Sequence, residues 1–179
     1  MEYPVRRIHL YFHTNRIDLW PSAAGINAIS TVTEATEVLG VDIGLYAYSL
    51  KHTPPISSID DLVNQQLILI RGYTYRGTMD FALSNTQQPP LVAPNHHAAL
   101  ELLQQGRGDY LINFSQPLEQ ALGDQKADSL NHFQLDEWPV VLHISTQLPD
   151  SDDIVAAFNQ AINDLPPVDI QPRQHSPNE

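Results

Sequence analysis

The chain has 179 residues, 42% of them hydrophobic, and carries 21 acidic against 9 basic side chains for a formal charge of −12. That balance argues against nucleic acid, whose phosphates need a basic surface, and with Lys51 and Lys126 as its two lysines it argues against a polybasic membrane patch. There are no cysteines, hence neither disulfides nor thiolate metal sites, and no apolar run reaches the length of a membrane span.

In chain order, Pro4 suits the first turn of a helix over residues 4–14, with Val5, Ile8 and Phe12 along one face. Asn15 and Arg16 end it, and Ile17–Trp20 reads as a strand. Residues 23–40, rich in Ala, Ser, Thr and Gly, read as an irregular loop with one helical turn at 34–38. Val41–Tyr48 is strand-like, Thr53–Ile56 is a proline-stiffened connector, and Ser58 can cap a short helix that Asp60 and Asp61 favour at its positive end.

The central stretch, 66–114, carries the clearest pattern. Gln66–Arg71 is a short apolar run bounded by turn residues, which predicts a buried strand. Gly72–Tyr75 turns into a helix expected over 76–83, and Leu91–Ala93 is a second strand. Asn95 caps a helix over 97–105 that Gly106 closes, and Asp109–Phe114 is a third strand. Strands alternating with helices predict an α/β fold with a parallel sheet covered on both faces. Such sheets bind ligands outside the carboxyl ends of their strands, which in this chain is Gly72–Arg76.

Beyond it, Ser115–Leu122 is a helix with Pro117 in its first turn, and 123–131 is a polar loop. Phe133–Trp138 and Pro139–Ile144 are extended. Ser151 caps a last helix with Ile154, Val155, Phe158, Ile162 and Leu165 in a stripe, stopped at Pro166-Pro167. From Val168 the composition predicts a disordered tail.

Within the central turn, Gly72 lets the backbone approach a ligand closely and Thr74 offers a hydroxyl. The N–H groups that follow favour a carboxylate or phosphate. Arg71 and Arg76 are each able to grip an anion bidentately, and Arg76 is preferred. His9 and His13 stand four apart, a spacing that can hold a metal, but no third ligand is near in sequence and they read as surface residues. No nucleophile elbow, phosphate-cradling glycine loop or dinucleotide fingerprint is present. No metal or cofactor is expected.

Three segments, Ile59-Asp-Asp-Leu62, Gln66-Leu-Ile-Leu-Ile-Arg-Gly-Tyr-Thr74 and Ala98-Ala-Leu-Glu-Leu-Leu-Gln-Gln-Gly-Arg-Gly-Asp-Tyr110, resemble the second lobe of bacterial extracellular solute-binding proteins, family 3. These are the type II periplasmic binding proteins that serve ABC transporters. The resemblance extends back to Arg16-Ile-Asp-Leu19 and forward to 151–165. It implies a periplasmic-binding-protein-like type II fold with mixed or parallel sheets. Lobe one would be 1–48, lobe two 49–137, the return to lobe one 138–167, and the tail 168–179. The first strand–helix–strand unit and signal peptide of that family would precede Met1, so the start reads as shortened and the location as periplasmic. An unpaired sheet edge in lobe one would then favour a homodimer.

The resemblance also implies a function: binding, without chemistry, of a small polar solute such as an amino acid or small carboxylate, for a membrane transporter or sensor. Trp20 and Ser22 would line lobe one, and Gly72, Tyr73, Thr74, Arg76 and Asn113 would contact the ligand from lobe two. Tyr46, Tyr48, Tyr75 and Trp138 are further cleft aromatics. Amino-acid binders of the family carry arginine in a Thr-x-x-Arg pattern, and the matching Thr33-Glu-Ala-Thr36 has threonine instead. The alternatives are an interaction or sensor module without a ligand, and, third, a cyclohexadienyl-dehydratase-like enzyme.

Overall fold

Two long extended segments lying antiparallel form the spine of the molecule. In the computed structural model, which describes residues 5–123 and 129–166, β2 (Thr33–Ala35) and β3 (Asp42–Leu50) run alongside β7 (Leu130–Ser145). Thr33 faces Ser145 at one end and Leu50 faces Leu130 at the other. Between β2 and β3 the ladder continues: the N–H of Thr36 donates to Leu142 at 3.0 Å, that of Leu39 to Val140 at 2.8 Å, and that of Val140 to Val41 at 2.9 Å. The chain therefore passes twice between two lobes inside one ribbon.

In the first lobe β7 lies between β2 and β1 (Leu19–Ala23). Side chains alternate across the strand. His143 and Trp20 point toward His9 of α1 (Val5–His13), while Leu142 and Ile144 pack on Val155 of α5 (Ser151–Asp164). The outermost strand is β1. Ser145 donates to Asp18 and Ala24 to Pro139, both at 2.8 Å, in a register pairing Leu19 with Ile144. By alternation the backbone of Trp20 and Ser22 faces β7, and that of Leu19, Pro21 and Ala23 faces outward. Pro21 thus sits where a missing N–H costs the ladder nothing.

In the second lobe the order is β7-β3-β6-β4-β5, with β4 (Leu67–Ile70) parallel to both β5 (Leu91–Ala93) and β6 (Tyr110–Phe114), and β3 antiparallel to its neighbours. Ile68 and Ile70 face α3 (His96–Gln104) and α4 (Ser115–Leu122). Leu67 and Leu69 face the opposite core, with Leu62, Met79 and Ala82 of α2 (Asp80–Asn85). All four are buried, which is why this strand reads as a continuous apolar run. The Asn95 side chain accepts the Ala98 N–H at 2.9 Å and Gly106 has φ +66°, the cap and stop expected for α3. Three donors, Ser57 N–H, Ser57 Oγ and Ser58 N–H, converge on one Asp61 oxygen and hold its carboxyl below the usual range.

Several expectations are corrected. No helical turn forms at 34–38: a 3-10 turn occupies Asn27–Ile29, and Thr33–Ala35 is strand because β7 extends past β3 and offers a free edge there. The first strand begins at Leu19 and continues through Pro21, which the outward edge position allows. The three strands expected to be parallel, β4, β5 and β6, are so, and β3 and β7 make the sheet mixed, as the resemblance implies. The two extended stretches after residue 133 are one strand, β7, starting at Leu130. Ser151 is the first residue of α5 and Asp150, at φ +60°, precedes it; of the stripe only Val155 is buried, while Phe158 and Leu165 are 38% and 63% exposed. Pro4, much of the 123–131 loop and the tail lie outside the described residues.

Candidate site at the crossing between the lobes

The connection after β4 departs from the expected helix at 76–83. Gly72 has φ +89°, and then Tyr75, Arg76 and Gly77 take φ +49°, +53° and +86° in succession. A left-handed residue other than glycine costs about 1–2 kcal/mol, so this turn is held by tertiary contacts. Three are visible. Tyr75 is buried and its hydroxyl accepts the Ile70 N–H at 2.7 Å. Thr78 Oγ1 donates to Asp136 Oδ2 at 2.7 Å, tying the turn to β7. The Arg76 guanidinium lies over Trp138, 4.9 Å from the ring centroid, and Nη2 donates to the Gly25 carbonyl of the first lobe at 2.9 Å. A hydrogen bond from a charged donor is worth about 1.5–3 kcal/mol and an exposed cation–π contact about 0.5–1 kcal/mol. Burial pulls the guanidinium below its ordinary value, and Asp136 pulls it back up.

Behind the turn is an array of rings. Tyr73 and Phe114 lie 5.5 Å apart, Tyr73 and Tyr75 6.1 Å, and Phe114 and Trp138 6.3 Å. Behind Tyr73 runs a polar relay. Its hydroxyl lies 3.2 Å from His96 Nε2, and His96 Nδ1 lies 3.0 Å from Asn113 Oδ1. The same oxygen accepts the Phe114 N–H at 2.9 Å, which fixes which end of the amide is oxygen. His96 therefore carries its proton on Nδ1 and accepts from Tyr73 at Nε2 when neutral. Asn113 is fully buried, and its Nδ2 has no partner among the described residues.

On the first-lobe side, Trp20 sits between His9 and His143, with ring centroids 6.1 and 6.2 Å away. His143 Nε2 donates to the Ala23 carbonyl at 3.1 Å. Burial pushes the pKa of both histidines down. His13 donates to the Ala28 carbonyl at 2.9 Å. Among the described residues no group of three His, Cys, Asp or Glu could hold a metal ion.

The sequence-predicted residues thus fall into three places. Gly72, Tyr73 and Thr74 line one depression of about 540 Å³ with Leu83, Val92 and Pro94, all of the second lobe. Asn113 joins Tyr73 through His96. Arg76 reaches the first lobe at Gly25, three residues past the buried Ser22, while Trp20 packs on His9 and His143. The helix that was to place N–H groups beside Thr74 begins only at Asp80. Sequence reasoning missed His96 and Gly25. His96 carried one usable signal, its place just after the Asn95 cap, and Gly25 carried none.

No family model matches the chain, and no curated protein sequence matches it. Solved structures do. The chain is similar to the GluR0 ligand-binding core in complex with L-glutamate, at TM-score 0.68 and 15% identity, covering 89% of this chain and 78% of that one. It is similar to a histidine kinase sensor domain with similarity to periplasmic binding proteins, at TM-score 0.70 and 13% identity over 89% and 68% of the two chains. A substrate-binding protein of an ABC uptake transporter from Streptococcus pneumoniae, with bound histidine, matches at TM-score 0.70 and 12% identity over 91% and 68%.

Proposed function

We propose that this chain, which has the two-lobed fold of the type II periplasmic binding proteins, binds a small polar solute, an amino acid or a small carboxylate, in the cleft between its lobes for transport or sensing. The observation that carries the reading is the left-handed turn at 75–77. It places a guanidinium at the carboxyl end of a parallel strand and directs it across the crossing to the other lobe. Gly72, Tyr73 and Thr74, with Asn113 behind them, complete the wall of lobe two, and Trp20 and Ser22 that of lobe one. In this reading the chain divides at the ribbon, and lobe two, expected as 49–137, takes in the whole of β3 from Asp42.

The named neighbours support it, since they include a glutamate complex, a histidine-bound transporter component and a sensor domain. Thr36 stands where the resemblance puts an arginine. It is buried, and its hydroxyl donates to Glu37 O at 2.9 Å and accepts Leu142 N–H at 3.0 Å, so it serves the ribbon. The carboxylate partner in this reading is therefore Arg76 of lobe two. The protein acts by binding, outside the cytoplasm, and does no chemistry.

Native mass spectrometry of the chain with a pool of amino acids and small carboxylates tests the reading: one retained solute per chain supports it. The Arg76–Gly25 bond favours a second reading, a sensor or interaction module that keeps the fold without a ligand, and no retained solute from any pool selects it. The same spectra bear on pairing. Two copies are expected to associate through the outer edge of β1, where Leu19 and Ala23 offer outward N–H groups, and a monomer at high concentration removes that expectation.

A further inference from the structure

We propose that Arg76 is a latch across the cleft: its guanidinium joins the lobes through the Gly25 carbonyl, and an entering carboxylate takes it over. The second half rests on the solute-binding reading, and the first does not.

The contact joins two turns that are each bent for it. Arg76 lies in a run of three left-handed residues and Gly25 itself has φ +72°. A Cβ on Gly25 would lie 3.2 Å from Arg76 Nη2, so glycine serves both the backbone conformation and the close approach. Trp138, under the guanidinium, is the residue before Pro139, where β7 leaves β3 and enters the first lobe. The latch therefore rests on the crossing ribbon itself. Asp136, the nearby carboxylate, is engaged elsewhere: Oδ2 accepts from Thr78 Oγ1 at 2.7 Å and Oδ1 from the Glu137 N–H at 2.9 Å. Among the described residues the acceptor of the Arg76 hydrogen bond is a neutral carbonyl, with Asp136 acting on the guanidinium only through its charge. A carboxylate offers charge and two acceptors matched to the guanidinium fork, so it displaces a carbonyl without needing any other change in the wall.

The chain has no cysteine, so Glu34→Cys and Gln105→Cys, exposed positions one in each lobe, can carry a spin-label pair without a background. Double electron–electron resonance on the ligand-free protein should give one narrow distance, and Arg76→Ala should broaden it, with the open fraction rising at least about tenfold, as expected for a charged hydrogen bond and a cation–π contact together. Arg76→Lys, which keeps the charge but not the fork, should fall between them, and it carries the test if Arg76→Ala does not fold by circular dichroism. Distributions as narrow in the variants as in the parent overturn the latch. Titration with succinate and glutamate then tests the takeover: affinity lost at least about tenfold in Arg76→Ala supports it, and equal affinity overturns it. If Arg76→Ala opens the lobes but neither variant nor parent binds either probe, the latch stands, the takeover falls, and the solute-binding reading falls with it for this ligand class.

Discussion

His96 Nδ1 lies 3.0 Å from the side-chain oxygen of Asn113, a residue with no exposed surface in the middle of the second lobe. One helix start and one strand end are thereby joined by a buried polar bond, 17 residues apart in the chain. Removing Asn113 leaves both the His96 and the Phe114 N–H groups without their acceptor. Asn113→Ala should destabilise the protein by roughly 1–3 kcal/mol for each donor left unpaired. Urea unfolding of Asn113→Ala, His96→Ala and the double variant should show a coupling of about 1 kcal/mol or more, and strict additivity would mean the bond does not form.

Gly108 reports on the register of β4 against β6. A Cβ there would lie 2.6 Å from Ile68 Cγ1 and 3.1 Å from the Gln66 carbonyl, and backbone does not yield as a side chain does. Gly108→Ala should cost about 1–3 kcal/mol by overpacking, read as a lower urea midpoint at unchanged slope.

Acid should weaken the first lobe. The pKa values of His9 and His143 are lowered in the folded protein, in both cases chiefly by burial, from an ordinary value of 6.5. The unfolded chain then binds more protons than the folded one just below that value. Their contribution to stability is complete above pH 6.5 and is lost as pH falls through the native pKa values. The melting temperature should therefore decline on acidification from pH 6.5, and His143→Gln should flatten the decline; a variant with the parent's slope would contradict this. Because Arg76 helps depress His143, Arg76→Ala should also raise the His143 midpoint in an NMR titration.

The outward-facing Pro21 keeps the centre of the β1 edge without a donor. Pro21→Thr supplies an N–H and a β-branched side chain at that point, beside the exposed Leu19. Light scattering should then show stronger association at equal concentration. An unchanged mass would mean that the edge is covered by something other than its own proline.

Local signals accounted for much of the fold. The four-residue apolar strand β4, the Asn95 cap and Gly106 stop of α3, and α4 beginning beside Pro117 each depend on residues within a few positions of one another. Each is legible for that reason. The glycine-led turn after β4 was legible as a turn, and Gly72, Tyr73 and Thr74 do share one depression.

What the tertiary structure decided depends on partners far along the chain. Thr33–Ala35 is strand because β7, more than a hundred residues later, has an edge to fill, and its own composition reads as loop. Tyr75 and Arg76 bear left-handed backbone that no propensity favours, because a buried hydroxyl, a ring and a distant carbonyl hold them there. The sequence by itself determined the buried strand β4, the cap and stop of α3 and the turn after β4. Which lobe Arg76 touches was settled only by folding, since its acceptor is a backbone carbonyl 51 residues away, a group that every residue carries and that no sequence pattern marks.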